Sequence, residues 1–278
     1  MDIKIIVDSC CDLTPELSEK LGAVTVPLTL TLGDDVFVDN ETLDLSDYME
    51  KMKAYTGRIG SSFPSATLFK EAFLNAKNSF AVTLSGNLSG CYGSAMLGKT
   101  MAEEEDADAS VYVFDSKSAC AGETLIALKI WKLLDEQRDK QSIISSIENF
   151  IKRMKTYFVL ENIDTLVKNG RVNKITGKII SVLNIKPIMG SDGDGNIALF
   201  SHARGQKQII EKLTDTIEKS GIKTNGETMV ISHCNNIGLA EKLKNAIDRR
   251  YHFNEILIVP TNGLSSMYSN DKGVIIAF

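Results

Sequence analysis

Ala81-Val82-Thr83-Leu84-Ser85-Gly86-Asn87-Leu88-Ser89-Gly90 is an apolar run that passes directly into hydroxyl and glycine residues. Two other stretches behave the same way. Ile5-Ile6-Val7 leads into Asp8-Ser9, and Val111-Tyr112-Val113-Phe114 leads into Asp115-Ser116-Lys117-Ser118. Short β-branched or aromatic runs like these suit parallel strands buried on both faces. In open α/β sheets, ligands collect beyond the carboxyl ends of such strands. The polar ends therefore predict one crevice rich in hydroxyls and loop amides. Such a crevice fits a carboxylate or phosphate better than it fits bond-breaking chemistry.

Working outward, strand-like and helix-like patterns alternate. Strands are expected at 3–7, 24–32, 80–84 and 111–114. Thr14-Pro15-Glu16-Leu17 reads as a helix start, with a hydroxyl cap followed by proline in the first turn. Further helices are expected at 45–55, Ser65–Lys77, Tyr92–Glu104, 121–136 and 142–155. Alternation of this kind gives a parallel sheet flanked by helices. Beyond residue 153 the character changes. A strand at 157–160 precedes a helical stretch to about 168, a helix near 175–182 and a strand pair around 184–201. The pair is joined by the turn Ser191-Asp192-Gly193-Asp194-Gly195-Asn196. A helix at 205–220, a strand at 228–232, a helix at 237–250, a strand at 255–260 and a last strand at 274–278 follow. The expected architecture is two α/β domains. Residues 1–153 carry a mainly parallel sheet, and residues 154–278 carry a mixed sheet with helices.

Of 278 residues, 43% are hydrophobic and 24% charged, as in a globular protein with ordinary cores, and the net charge is −5. That balance leans away from nucleic acid. The five cysteines are scattered without a CxxC. They read as reduced thiols of a cytoplasmic protein, not as a disulfide frame or a zinc site. No targeting segment or apolar run of about 18 residues is found, so any membrane contact is expected to be transient.

Five segments are candidates for chemistry. Ser61 and Ser62, on a loop before the Ser65 cap, either hold an anion or merely lead into the helix. Ser85–Gly90 matches no P-loop, dinucleotide fingerprint or nucleophile elbow. Its glycines would allow a sharp turn and close approach to a ligand, or only a tight turn. Arg171, beside Gly170, has the fork that binds carboxylate or phosphate, or is a solvated surface arginine. Arg204 lies beside Gly205. The stretch Gly263–Gly273 reads as a polar loop. His233 reads as structural. Asp8 and Asp115 could serve acid–base chemistry, but fixing turns is the commoner role.

Taken in order, Ile6-Val7-Asp8-Ser9, Ser61-Ser62-Phe63-Pro64-Ser65, Leu84 to Tyr92, Asp115-Ser116, Asn169-Gly170-Arg171-Val172, Leu183-Asn184-Ile185-Lys186-Pro187 and Arg204-Gly205 resemble the DegV family across essentially the whole chain. The resemblance implies a long-chain fatty acid held between two α/β domains. It also implies a role like the fatty-acid-binding subunit of bacterial fatty acid kinase, which presents the acyl carboxylate to a separate kinase subunit. By the same resemblance, Ser61, Ser62, Ser89, Gly90, Arg204 and Ser265 belong to the ligand site, and Arg171 faces the kinase or the phosphate. No catalytic residue, cofactor or metal is implied. The tail departs from many relatives, which carry a Gly-x-His and a Gly-Pro-Gly where this chain has Gly263-Leu264-Ser265-Ser266-Met267-Tyr268. An enzyme acting on a phosphate ester or nucleotide, and a lipid sensor, stay open as alternatives.

Overall fold

A computed structural model describes residues 3–172 and 185–278. The helix expected near 175–182, and Leu183-Asn184 of the quoted motif, lie outside the described residues.

Three of the expected polar strand ends belong to one sheet. Strands β1 (Lys4–Asp8), β2 (Ala23–Val26), β6 (Asn78–Thr83) and β7 (Ser110–Asp115) are parallel, in the order β2-β1-β6-β7. Because β1, β6 and β7 are adjacent and parallel, Asp8, Leu84 and Asp115 emerge side by side. Between β1 and β2, helix α1 (Pro15–Leu21) begins where Thr14 Oγ1 accepts the Leu17 amide (3.2 Å) and stops at Gly22 in the left-handed region.

The strand expected over 24–32 is two strands. Pro27 offers no N–H to a ladder, and the chain leaves β2 there for a second sheet. That sheet is antiparallel and holds β3 (Thr29–Leu32), β4 (Asp35–Val38) and β5 (Ile59–Ser62), in the order β4-β3-β5. Ser61 and Ser62 are therefore on a strand, not the loop expected for them. Helix α2 (Leu45–Ala54) follows β4, and α3 (Ala66–Ala76) and α4 (Cys91–Glu105) pack together on one face of the parallel sheet.

Helix α5 (Ala121–Asp135) joins the two halves of the molecule. It packs on β1 and β6 from one side and on the later strands β11 (Thr228–His233) and β13 (Val274–Ala277) from the other. Leu125, Ile126 and Ile130 accordingly share one core with Val7, Val82, Val230 and Ile275. Helix α6 (Lys140–Arg153) lies alongside α5.

The six-stranded sheet is built wholly from strands beyond α6. It adds β8 (Thr156–Val159), β9 (Lys186–Ser191), β10 (Ile197–Ala203) and β12 (Glu255–Pro260), in the order β10-β9-β8-β13-β11-β12. Only β11 and β12 pair in parallel. A short α7 (Asp164–Lys168) follows β8. Helices α8 (Gly205–Ser220) and α9 (Ile237–Asp248) cover the far face through Leu213, Ile217, Leu239 and Leu243. The stretch expected to be a polar tail loop is a buried helix, α10 (Gly263–Ser269). What makes it helical is remote: the Asp39 carboxylate accepts the Gly263 and Leu264 amides (2.9 and 2.8 Å). This cap is 224 residues away in sequence, so no local pattern announces it.

Candidate functional site

The strand ends are organised by two aspartates. Asp8 accepts the Cys10 and Leu84 amides (2.9 and 2.8 Å) and the Cys91 thiol (3.0 Å). Asp115 accepts the Gly86 and Lys117 amides (both 3.1 Å) and pairs with Lys117 Nζ (2.8 Å). Both fix turns, which is the commoner of the two roles read for them. Gly86 and Gly90 are not left-handed; the space at Gly90 goes to the Phe63 ring, 2.6 Å from where a Cβ would stand. Gly195 does need to be glycine. It has φ +93°, and a Cβ there would meet Ser85 Oγ at 2.2 Å. That approach lets Ser85 Oγ donate to Gly195 O (2.9 Å), while Asn87 Nδ2 donates to Asp194 O (2.8 Å). The β9–β10 turn is thereby fastened onto the loop after β6.

Between these parts lies a cavity of about 880 Å³, open space at its mouth included. The antiparallel and six-stranded sheets, the loops that follow the strands of the parallel sheet, and helices α7 and α10 contribute to its wall. Most of the wall is apolar, with Leu28, Leu84, Phe158, Leu160, Leu166 and Ile275 among the contributors. Its polar lining includes Lys117, Ser118, Thr156, Ser191, Asn196 and Ser269. Ser61, Ser89, Ser265, Tyr268 and Arg171 all line it. Ser61 Oγ lies 3.3 Å from Tyr268 Oη, across 207 residues of sequence, and Asn169 Nδ2 donates to the same phenol oxygen (3.4 Å). Arg171 Nε donates to Leu88 O (2.9 Å), and its guanidinium also donates to Asn169 O. The arginine is thus held beside Ser89 in a fixed pose. Ser89 Oγ accepts the Cys91 amide (3.2 Å) at the start of α4.

Four of the residues singled out from sequence come together here: Ser61, Ser89, Ser265 and Arg171. Ser62 does not line the cavity. Successive strand residues face opposite sides, so it points away from Ser61 and is exposed. Gly90 is exposed beneath Phe63, and Arg204 is exposed at the start of α8 with its amide on Gln208 Oε1 (2.8 Å). Arg171, expected to face a partner, is half-buried in the cavity wall. Sequence reasoning missed Tyr268, whose only local sign is that it follows Ser265 by three residues, one helical turn. His233 is structural: its Nδ1 accepts the Asn236 amide (3.3 Å), and burial lowers its pKa.

The walls can desolvate a long apolar chain, and the hydroxyl, phenol and guanidinium donors can satisfy an anionic head. The position of the Asp39 cap matters to this arrangement, since α10 carries both Ser265 and Tyr268. Burial holds the Asp39 carboxyl above its usual range, against the lowering effect of the Leu264 and Gly263 amides. Among the described residues no helix is long and apolar enough to cross a membrane.

Comparison with known proteins agrees with this geometry. The family model described as "Uncharacterised protein, DegV family" matches residues 2–277. A DegV domain-containing protein of Streptococcus pneumoniae is 34% identical over 282 residues, covering 100% of this chain and 99% of that one. A DegV family protein from Ruminococcus gnavus, solved with vaccenic acid, superposes with TM-score 0.95 at 37% identity, covering 100% of both chains. The fatty acid kinase B3 protein of Streptococcus pneumoniae, solved with linoleic acid, does so with TM-score 0.93 at 33% identity, covering 100% of this chain and 99% of that one. With the match spanning nearly every residue, this chain belongs to the DegV family.

Proposed function

We propose that this protein binds a long-chain fatty acid and presents its carboxylate to a separate kinase subunit for acyl-phosphate formation, in the cytoplasm and without catalysis of its own. One observation carries the reading: a single cavity combines a mostly apolar wall with hydroxyl, phenol and guanidinium groups contributed by distant stretches of the chain. The similar proteins solved with vaccenic and linoleic acids support it. Each methylene taken from water contributes about 0.8 kcal/mol, so the apolar wall supplies most of the affinity. The carboxylate must recover the hydrogen bonds it loses on leaving water. Ser61, Ser89 and Tyr268 offer hydroxyl donors, and Arg171 offers charge. Ser265, Ser62, Gly90 and Arg204 complete the set that the family resemblance implies; of these, only Ser265 reaches the cavity wall. The residues 1–153 and 154–278 are the two units that close over the ligand.

Mass spectrometry of an organic extract of the natively purified protein should find a long-chain acid. Finding none, together with no uptake of added oleic or palmitic acid, overturns the reading. Arg171→Ala separates binding from presentation. If the arginine serves the kinase, the variant takes up fatty acid normally but fails to support acyl-phosphate formation with a kinase subunit. If binding falls as well, the arginine is part of the ligand site.

A further inference from the structure

Next to the cavity is a second cluster, whose carboxyls do not line it. Asp8 ends β1, Cys10 lies in the turn after it, and Glu123 is in the first turn of α5; all three are buried. One oxygen or sulfur from each lies within 4.8 Å of the other two. Cys91 adds a thiol from α4, 3.0 Å from Asp8 Oδ2.

Burying acidic groups together costs free energy unless something compensates them. Asp8 is compensated by two amides and the Cys91 thiol. Glu123 is not: neither of its carboxyl oxygens has a hydrogen-bond partner, though both are fully buried. A carboxyl with two unpaired oxygens, turned toward a thiol and a second carboxyl, has the ligand types of a cation site. Calcium and magnesium take all-oxygen sets, whereas zinc accepts thiolate, imidazole and carboxylate together. Burial holds Glu123 well above the carboxylate range, and the neighbouring Cys120 and burial hold the Cys10 thiol high. Protons must therefore leave when a metal enters.

We propose that Asp8, Cys10 and Glu123 form a buried site for one Zn²⁺ ion, with Cys91 beside them as a fourth ligand. Cys10 also lines the cavity, which gives the ion a way in. The metal ties the turn after β1, which lines the cavity through Cys10, to the first turn of α5. The cluster is invisible to spacing rules because its ligands come from residues 8–10, 91 and 123.

The test uses the full chain, stripped with a chelator and then dialysed against Zn²⁺ or Co²⁺. Elemental analysis should find about one zinc per chain. The cobalt form should show a sulfur-to-cobalt charge-transfer band, and Zn²⁺ should raise the thermal midpoint. Glu123→Gln keeps the shape and should fold; its zinc affinity should fall by more than the ~10–100-fold that loss of an outer-sphere partner costs. Cys10→Ser should lose or shift the charge-transfer band. Retention of no zinc and no cobalt spectrum in the wild type overturns the proposal. So does unchanged zinc content in folded Glu123→Gln. A third overturning result is a Glu123→Gln protein that is more stable than wild type regardless of added zinc, which would mark Glu123 as a neutral buried acid.

Discussion

A serine hydroxyl is a modest partner for a neutral group and a better one for a carboxylate, because hydrogen bonds to charged groups are worth about 1.5–3 kcal/mol each. Ser61 and Ser89 are both half-buried at the cavity, where Ser61 Oγ meets Tyr268 Oη and Ser89 Oγ accepts the Cys91 amide. Ser61→Ala combined with Ser89→Ala should stay folded, losing about 1 kcal/mol with the Ser89 hydroxyl's hold on the Cys91 amide, and weaken fatty acid binding by about 3 kcal/mol, roughly a hundredfold in Kd. Titration with a fluorescent fatty acid measures this, and equal affinity would place the head group elsewhere. Asp12 gives a prediction of a different kind. Burial pushes its carboxyl up to about 7, although the Asn262 amide donates to it. In the unfolded chain it titrates near ~3.9. Between these values the folded protein holds a proton that the unfolded chain has released, so stability falls as pH rises through that window and levels off above it. Asp12→Asn keeps an acceptor for the Asn262 amide and removes the titration. Relative to wild type it should gain nothing near pH 4 and up to about 4 kcal/mol above pH 7. Urea denaturation across that range would show it; a constant difference at every pH would sink the assignment. Asp8, Asp39 and Glu123 are also held high by burial, so the variant keeps part of the downward slope.

Helix α10 shows how an element can depend on a residue far outside it. Its first two amides end on Asp39, from the loop between β4 and α2. Asp39→Ala should cost about 1–2 kcal/mol of stability, as for loss of a helix cap. Because α10 carries Tyr268 and Ser265, the variant should also bind fatty acid more weakly. Asp39→Asn retains one acceptor and should recover part of both. If Asp39→Ala lost stability but bound ligand as tightly as wild type, the cap would not position the site. Elements with local signals were legible in the sequence: β1, β6 and β7 from apolar runs, α1 from Thr14-Pro15, and the β9–β10 turn from its Asp and Gly residues. Elements defined by distant partners were not. Pro27 divides an alternating run between two sheets, β5 is a strand only because β3 pairs with it, and α10 is a helix with a borrowed cap. The site divides the same way. Ser61, Ser89 and Arg171 carry motif signals, whereas Tyr268 enters through its contacts with the distant Ser61 and Asn169, and strand alternation decides that Ser62 points away.

At the scale of the whole molecule, α5 decides how the protein unfolds. The boundary proposed at 153 falls between α6 and β8, yet α5 lies before it and packs against β11 and β13, which lie after it. Val230, Val259, Ile275 and Ala277 share one buried cluster with Ile5, Val7, Phe80 and Val82. A core that crosses the boundary prevents either half from burying its apolar surface alone, so heat should unfold both in one transition. The cavity crosses the boundary too: Ser61, Leu84 and Ser89 lie on one side, and Phe158, Tyr268 and Ile275 on the other. A ligand held there is lost when either half opens, so its binding energy stabilises both together. At one hundred times Kd that amounts to about 2.7 kcal/mol, or roughly 5–10 °C for a chain of this size. Calorimetry of delipidated protein with and without added fatty acid should therefore show one peak that moves intact. Two peaks, of which only one responds to the lipid, would mean that the cavity belongs to a single half and that α5 does not join them energetically.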